Sequence, residues 1–286
     1  MYDKPINPTI LVTGASGQLG HDVVEELKHR GLAYDAPTSA EMDITDQDSV
    51  MEWILKSCPS AVIHCAAYTA VDKAEDEADR CYLINAEGTR NVARACLDVG
   101  AKMVYISTDY VFDGSGSAPW ETGDQTGPLN VYGESKLAGE RLVRTTLDEY
   151  FIVRISWVFG KNGNNFVKTM LHLGESRDVL NVVADQWGAP TYTKDLAPLL
   201  CDMIQTEKYG IYHATNEGVT NWAEFAQEIF RQAHLDCTVH PISTAEYPTK
   251  ATRPFNSRLS KRSLDTSGFT RLPGWKDALA RYLREI

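Results

Sequence analysis

Tyr132 and Lys136 lie four residues apart, and their side chains are of the types that carry out acid–base chemistry together. The segment 131–140 is predicted to be helical, and at about 3.6 residues per turn the phenol and the ammonium project from the same face. Because a nearby ammonium favours the phenolate, the pair predicts a tyrosine whose pKa is lowered from about 10 toward neutrality. Such a phenol can give a proton to a carbonyl oxygen while a nicotinamide delivers hydride to the carbon.

Thr108 follows a predicted strand, 102–107, and is the third candidate catalytic residue. A hydroxyl at the carboxyl end of a strand can hydrogen-bond a substrate carbonyl oxygen beside the tyrosine. The alternative is that Thr108 only caps the turn. Asn85, on the preceding predicted helix, could support a proton relay through water, and its alternative role is that of a buried, hydrogen-bonded amide.

A glycine-rich turn follows the first predicted strand, 9–13, and opens a helix. Its spacing is Gly-x-x-Gly-x-x-Gly. Gly14 suits the tight turn, Gly17 lets the backbone approach a pyrophosphate, and Gly20 permits close helix packing. Ser16 belongs to the same predicted dinucleotide contact. The alternative is a turn that binds no ligand.

Two acids are candidates for the adenosine end of a dinucleotide. Asp35 lies where the second strand should end, about the distance at which an acid binds the ribose hydroxyls, and a carboxylate there disfavours a 2′-phosphate. NADH should therefore be accepted, although an ordinary surface Asp is the alternative. Asp43 could accept a hydrogen bond from the adenine amino group, and its alternative role is to cap a loop.

Small residues end the predicted strand 60–66. Ala66 and Ala67 would let a flat cofactor pass over the sheet edge, where open α/β sheets bind ligands. The alternative is that both pack under a helix. His64 and Cys65 are predicted to be core residues.

Short apolar runs alternate with helical periodicity through the first 160 residues, which predicts a doubly wound, parallel Rossmann-type α/β sheet. A smaller, interleaved C-terminal lobe is expected to bind the substrate. The predicted division is 1–160 plus about 185–215 for the dinucleotide domain, and about 161–184 with 216–286 for the lobe. Further helices are predicted at 80–99, 164–177, 193–206, 220–234 and 276–284, and further strands at 150–155, 179–184 and 210–214. The helix 220–234 is amphipathic, with Trp222, Phe225, Ile229 and Phe230 on or near one face.

The composition excludes several classes of function. The net charge of −11 argues against nucleic acid and anionic membrane partners, which need a basic surface. No apolar run approaches the length of a membrane span, and the polar N-terminus does not resemble a signal peptide, so a cytoplasmic location is expected. The six cysteines show no CxxC spacing, which disfavours a zinc site or a disulfide framework. The sequence leaves open whether the chain forms a homodimer.

The glycine-rich turn, the Ser-Thr pair and Tyr-x-x-x-Lys resemble the extended short-chain dehydrogenase/reductase family. Longer strings resemble its dTDP-4-dehydrorhamnose reductase branch, and the likeness runs from Ile10 to about Leu264. The strings are 66–75 (AAYTAVDKAE), 107–114 (STDYVFDG), 128–133 (PLNVYG), 156–159 (SWVF), 163–170 (GNNFVKTM), 185–191 (DQWGAPT) and 253–257 (RPFNS).

This resemblance implies reduction of the 4-keto group of a dTDP-4-keto-6-deoxy sugar with NADH or NADPH. It implies that Tyr132 donates the proton and that Lys136 also binds the nicotinamide ribose. The other implied cofactor contacts are Gly17, Gln18 and Leu19 on the pyrophosphate, Asp43 and Ile44 on the adenine, and Ala67, Tyr68 and Thr69 beside the nicotinamide. The implied substrate contacts are Thr108, Asp109, Tyr132, Trp157, Lys168 and Arg253, with the last two on the diphosphate.

Two differences from related sequences narrow the expected function. Dehydratases of the superfamily carry an Asp-Glu pair after the Thr, whereas here Tyr110 follows Asp109, so dehydration is disfavoured. Some relatives bind Mg²⁺ through glutamates near the glycine-rich helix, where this chain has Asp22, so no metal is predicted. The alternatives are another sugar-nucleotide 4-keto reductase, a 4-epimerase, or a non-catalytic protein like the regulatory subunit of methionine adenosyltransferase.

Overall fold

The computed structural model describes residues 9–286. The segment 1–8, which the sequence predicts not to be a signal peptide, lies outside the described residues. Among the helices of the described part, none combines the length and the apolar character that crossing a bilayer requires.

The chain alternates between strands and helices. The strands are β1 (Ile10–Thr13), β2 (Tyr34–Asp35), β3 (Ala61–His64), β4 (Lys102–Thr108), β5 (Tyr150–Ile155), β6 (Val158–Phe159), β7 (Val179–Val183), β8 (Trp187–Gly188), β9 (Thr191–Tyr192), β10 (Gly210–His213), β11 (Thr220–Asn221) and β12 (Thr238–Ile242). The α-helices are α1 (Gln18–His29), α2 (Gln47–Ser57), α3 (Val71–Ala74), α4 (Ala78–Tyr82), α5 (Thr89–Val99), α6 (Val131–Thr146), α7 (Phe166–Gly174), α8 (Thr193–Met203), α9 (Trp222–Ala233), α10 (Arg262–Thr266) and α11 (Trp275–Leu283).

Six strands form the central sheet in the order β10-β5-β4-β3-β1-β2, and every neighbouring pair is parallel. Helices α1 and α8 pack on one face through side chains such as Val23 and Leu200, while α2, α5 and α6 cover the other through side chains such as Ile54, Val92 and Val143. The predicted doubly wound α/β fold is therefore confirmed. The strand order reverses between β1 and β3, and ligands of such sheets bind at the carboxyl ends of the strands beside that point.

A second apolar cluster lies in the C-terminal half. Phe225, Ile229 and Phe230 of α9, predicted to share one helical face, are buried there against α7, α11 and the small parallel sheet of β7 and β12. The apolar cluster between the central sheet and helix α1 instead includes α8 and β10, which the prediction assigns to the dinucleotide domain. This separation supports the predicted division into domain and lobe, which stays a prediction.

Several local structures differ from the predicted elements. The predicted helix 80–99 is interrupted by a π-helical stretch, Leu83–Gly88, between α4 and α5. The strand after the first helix is only Tyr34–Asp35 long. Helix α2 and strand β12 were not predicted, and β12 contains Pro241, a residue that sheets tolerate at an edge.

Candidate active site

Helix α6 presents the predicted acid–base pair at the sheet. The helix begins after Asn130, whose side-chain oxygen accepts a hydrogen bond of 2.8 Å from the Gly133 amide. Lys136 is 3% exposed, and its Nζ lies 4.1 Å from the centre of the Tyr105 ring on β4. Burial lowers the pKa of Lys136 to about 7, against the opposing charge of Glu140. The ammonium is thus readily discharged unless an anion lies beside it.

Tyr132 lies next to a second tyrosine. Its ring meets Tyr110 edge to face, with ring centres 5.8 Å apart. Burial raises the pKa of Tyr132 above its usual value, the nearby Thr108 hydroxyl opposes the rise, and the Asp109 carboxylate adds to it. The prediction that Lys136 lowers the pKa of Tyr132 toward neutrality is wrong for this structure, because desolvation of the phenol is the larger effect. Tyr132 is therefore a protonated phenol at neutral pH, which is the form that can donate a proton.

Thr108 ends β4 and brings the third predicted catalytic group to the same place. Its hydroxyl donates to Asp109 Oδ1 at 3.1 Å and accepts from the Tyr110 amide at 3.2 Å. The capping role weighed from the sequence is thus present. It does not exclude catalysis, since the same hydroxyl interacts with Tyr132.

Asp109 is a buried carboxylic acid at the end of β4. It is 3% exposed, and its Oδ2 has no hydrogen-bond partner in the described part of the chain. Burial raises the pKa of Asp109 to about 7, although the Ser257 and Thr108 hydroxyls act in the opposite direction. An unpartnered buried oxygen is suited to accept a hydrogen bond from a sugar hydroxyl.

The glycine-rich turn forms one wall of a cleft of about 460 Å³ at the carboxyl ends of β1 and β3. A Cβ on Gly14, whose φ is +68°, would lie 2.6 Å from the Ala66 amide nitrogen. A Cβ on Gly20 would lie 2.2 Å from the Gly14 carbonyl oxygen. Helix α1 starts with Gly17 as its N-cap residue, so the first amides of the helix have no intrahelical acceptor. These features fit the pyrophosphate of a dinucleotide.

The cleft contains many of the predicted cofactor contacts but not all. The predicted residues that line it are Gly14, Ser16, Gly17, Asp43, Ile44, Ala66 and Ala67. The predicted residues outside its lining are Gln18, Leu19, Asp35, Tyr68, Thr69, Tyr132 and Lys136. The lining residues that the sequence did not indicate are Thr13, Ala15, Pro37, Thr38, Ser39, Met42, Thr45, Cys65, Arg80, Leu83 and Ile84. Cys65, predicted to be a core residue, is half-buried and faces this cleft.

Asp43 has the capping role weighed from the sequence, and its contact with the adenine stays a prediction. Its Oδ1 accepts from the amide and the hydroxyl of Thr45, at 2.9 and 2.8 Å, so it does cap its loop. It also lines the cleft. Asp35 is the last residue of β2, and the wall of the cleft near it is formed by Pro37–Ser39 instead.

Asn85 takes the structural role that the sequence left as its alternative. Its amide oxygen accepts from the Tyr68 amide at 2.8 Å, and its amide nitrogen donates to the Tyr68 carbonyl at 3.1 Å and to Ser135 at 3.0 Å. The Tyr68 hydroxyl donates to Glu77 at 2.9 Å. Asn85 therefore holds the strand extension beside the cleft in place.

Trp157 packs against the apolar cluster of the C-terminal half and has a constrained backbone conformation. Its φ is +49°, and its indole stacks on Trp222 with ring centres 3.8 Å apart. A Cβ on Gly188 would lie 2.9 Å from two atoms of that indole. The ring is thus held between two neighbours, as a rigid wall for a sugar would require.

Arg253 and Lys168, the two residues predicted to bind the diphosphate of the substrate, have different surroundings. Arg253 makes a bidentate ion pair with Asp72, at 3.1 and 2.8 Å, and its charge acts on Tyr110 beside Tyr132. The ammonium of Lys168 instead donates to the carbonyls of Lys161 and Gly163, at 2.6 and 2.8 Å. The substrate role of both stays a prediction, and for Lys168 the contacts indicate a different one.

Comparison with known proteins decides the family. The family model described as "RmlD substrate binding domain" matches residues 8–286. The chain belongs to this family. It is 42% identical to the dTDP-4-dehydrorhamnose reductase of Aggregatibacter actinomycetemcomitans, in an alignment that covers 94% of this chain and 96% of that protein. It is 43% identical to the Bacillus subtilis spore coat polysaccharide biosynthesis protein SpsK, covering 96% and 97%.

Solved structures agree with the family assignment. A Bacillus anthracis dTDP-4-dehydrorhamnose reductase in complex with NADP is 44% identical, with a TM-score of 0.96, and covers 98% of this chain and 100% of that chain. A Thermus thermophilus UDP-glucose 4-epimerase in complex with NAD, at 19% identity and a TM-score of 0.79, shares the fold. The family assignment predicted from the glycine-rich turn, Ser-Thr and Tyr-x-x-x-Lys is confirmed.

Proposed function

We propose that this chain is an oxidoreductase that reduces the 4-keto group of dTDP-4-dehydro-L-rhamnose to give dTDP-L-rhamnose, with NADH or NADPH as the reductant. Two observations carry the proposal. The Thr108 hydroxyl acts on Tyr132, and Lys136, one helical turn further along α6, lies close enough to Cys65, in the lining of the dinucleotide cleft, for the two to interact electrostatically. Family relatives named dTDP-4-dehydrorhamnose reductase support this choice of substrate.

The nicotinamide of the bound cofactor supplies the hydride that the carbonyl carbon receives. Tyr132 gives the proton to the carbonyl oxygen, and its raised pKa keeps the phenol protonated until that step. The phenolate left behind is an anion in a buried site. Lys136, whose pKa of about 7 reflects its own burial, regains full charge beside such an anion and stabilises it. Thr108 holds the carbonyl oxygen toward the phenol.

On the substrate side, Asp109 offers its unpartnered oxygen to a sugar hydroxyl, and Trp157 packs against the sugar ring. Arg253 supplies positive charge to the diphosphate, which an acidic chain needs locally. Tyr110 in place of a second carboxylate after Asp109 disfavours dehydration. No contact of the site residues within 9–286 favours an epimerase or a regulatory protein over a reductase.

The test is direct. The purified chain is given dTDP-4-keto-6-deoxyglucose with a matching 3,5-epimerase, and oxidation of NADH and of NADPH is followed in separate assays. Tyr132→Phe should bind the cofactor normally yet lose about 10²- to 10⁴-fold in kcat. Tyr82→Phe is the control, because its hydroxyl donates to the surface residue Glu134. Near-normal turnover by Tyr132→Phe would remove the tyrosine from its role.

A further inference from the structure

A loop of the C-terminal half lies against the dinucleotide turn. The loop runs from residue 160 to 165, between β6 and α7. The side-chain amide of Asn162 donates to the Ser16 carbonyl at 2.7 Å and reaches the Gly17 carbonyl at 3.4 Å. These contacts join residues 146 and 145 positions apart in the chain. The outer side of the glycine-rich turn is therefore held by a part of the protein that the sequence assigned to substrate binding.

The loop is itself anchored by side chains. Lys168 donates to the carbonyls of Lys161 and Gly163, on either side of Asn162. Asn165 donates to the Gly160 carbonyl at 2.9 Å. The same amide of Asn165 also reaches the side-chain oxygen of Gln18, at 3.0 Å. Asn162 is thus presented from a loop whose backbone is fixed at its start and at its centre.

These contacts fix one peptide unit of the turn. The Gly17 amide donates to the Gly14 carbonyl at 2.9 Å, and the Ser16 carbonyl, at the other end of the same peptide plane, accepts from Asn162. The next amides, those of Gln18 and Leu19, open helix α1 and have no intrahelical acceptor. Because they follow directly from the fixed peptide plane, their direction depends on it. These are the donors available to a pyrophosphate.

We propose that Asn162 and Lys168 are positioning residues for the dinucleotide, acting through the loop 160–165 on the phosphate-binding turn. The inference rests on the proposed function, since it assumes that the turn holds a dinucleotide. It gives Lys168 a role in cofactor affinity in place of the contact with the sugar diphosphate predicted from the sequence. The C-terminal half thereby contributes to both ligands of the enzyme.

The test separates cofactor binding from catalysis. Dissociation constants of NADPH and NADH are measured by fluorescence titration without sugar nucleotide, and kcat and KM follow at saturating cofactor. Asn162→Ala and Lys168→Met should each weaken cofactor binding about 5- to 20-fold, as expected for the loss of one or two hydrogen bonds, with kcat within about twofold. Lys168→Arg should restore most of the affinity, because it keeps a cationic donor.

Asn164→Ala is the matched control. Asn164 lies in the same loop, is exposed and has no side-chain hydrogen bond within residues 9–286, so its loss should leave cofactor binding unchanged. Asn162→Asp replaces the donor with a carboxylate facing a carbonyl and should weaken binding more than Asn162→Ala. This variant also keeps the side-chain shape if the alanine variant fails to fold.

The outcomes are distinguishable. Wild-type affinity in both Asn162→Ala and Asn162→Asp would overturn the inference. So would a Lys168→Met variant in which the KM for the sugar nucleotide rises while the cofactor dissociation constant does not change. If the wild-type chain binds neither NADH nor NADPH, the proposed function itself fails.

Discussion

Glu140 accepts a hydrogen bond of 2.5 Å from the hydroxyl of Ser107, deep in the protein. Ser107 precedes Thr108 on β4, and Glu140 lies one helical turn after Lys136 on α6. The same carboxylate forms a bidentate pair with Arg154 of β5, at 2.8 and 2.7 Å. One buried anion therefore sets the spacing between the strand and the helix that supply the catalytic groups.

Glu140→Gln should destabilise the protein strongly. Both side chains of the Glu140–Arg154 pair are at most 3% exposed, so the variant leaves a buried guanidinium without its anion. The expected loss in the free energy of unfolding is about 3–5 kcal/mol, measured by urea denaturation. The control is Lys28→Gln, which removes an exposed ion pair with Glu25 and should change stability little. Equal stability of the two variants would contradict the structural role of Glu140.

Asp109→Asn should change how stability depends on pH. The pKa of Asp109 is about 7 when folded and about 4 when unfolded, so between those values the folded state holds the extra proton. The wild type therefore loses stability as pH rises from 4 to 7, and the full penalty remains above pH 7. An asparagine side chain carries no charge, so the variant avoids this loss of stability. Relative to the wild type, the free energy of unfolding of the variant should therefore increase by a few kcal/mol between pH 4 and pH 7, at about 1.4 kcal/mol per pH unit.

Asp113→Asn provides a comparison of opposite sign. Asp113 is exposed, and the hydrogen bond from the Ser115 amide lowers its pKa. Its carboxylate therefore stabilises the folded state above the unfolded pKa, and this contribution is lost on acidification. Urea unfolding at several pH values between about 2 and 8 measures both variants, because the Asp113 contribution is lost below its unfolded pKa of about 4. A parallel pH dependence of Asp109→Asn and the wild type would show that Asp109 is not held protonated by burial.

Gly188→Ala should disturb the wall formed by Trp157. The added methyl group would lie 2.9 Å from the indole, and Trp222 blocks movement on the stacked side. If Trp157 packs on the sugar, the KM for the sugar nucleotide should rise about 5- to 10-fold while cofactor binding is unchanged. Gly123→Ala is the control, because a Cβ there meets no atom within 4 Å. Steady-state kinetics with both variants decide the matter, and an unchanged KM in Gly188→Ala would argue against the sugar contact.

Arg253→Lys should fail to replace the arginine. The guanidinium pairs with both oxygens of Asp72, and a lysine keeps the charge but not the planar fork. The KM for the sugar nucleotide should rise roughly 10- to 100-fold, as expected for the loss of charged hydrogen bonds. Arg271→Lys is the matched control, since Arg271 forms a similar bidentate pair with Asp265 on the surface. A substrate KM that responds equally to both variants would exclude a specific role for Arg253.

Local patterns were enough to predict the elements that carry the chemistry. The glycine spacing before α1 and the four-residue interval between Tyr132 and Lys136 are contained in short segments. Because the carboxyl ends of parallel strands meet at one edge, Gly14, Ala66 and Thr108, each placed after a predicted strand, lie at the same edge of the sheet. The apolar face of α9 followed from helical periodicity in the same way.

Other features depend on contacts that no local pattern reveals. Strand β2 has two residues, too few for a period, and the π-helical stretch at Leu83–Gly88 has no sequence signature comparable to a cap. The pKa of Tyr132 follows from how deeply the phenol is buried, which only the packed fold determines. The contact from Asn162 to Ser16 joins two distant parts of the chain.

The long-range contacts of the turn and of Asp72 have a consequence for how the protein is made. Arg253 is separated from Asp72 by 181 residues, which take roughly 10–35 s to translate at about 5–20 residues per second. The central sheet also lacks strand β10 until residue 213 has been added. A nascent chain on the ribosome therefore carries its phosphate-binding turn for many seconds before the segments that complete the enzyme are synthesised.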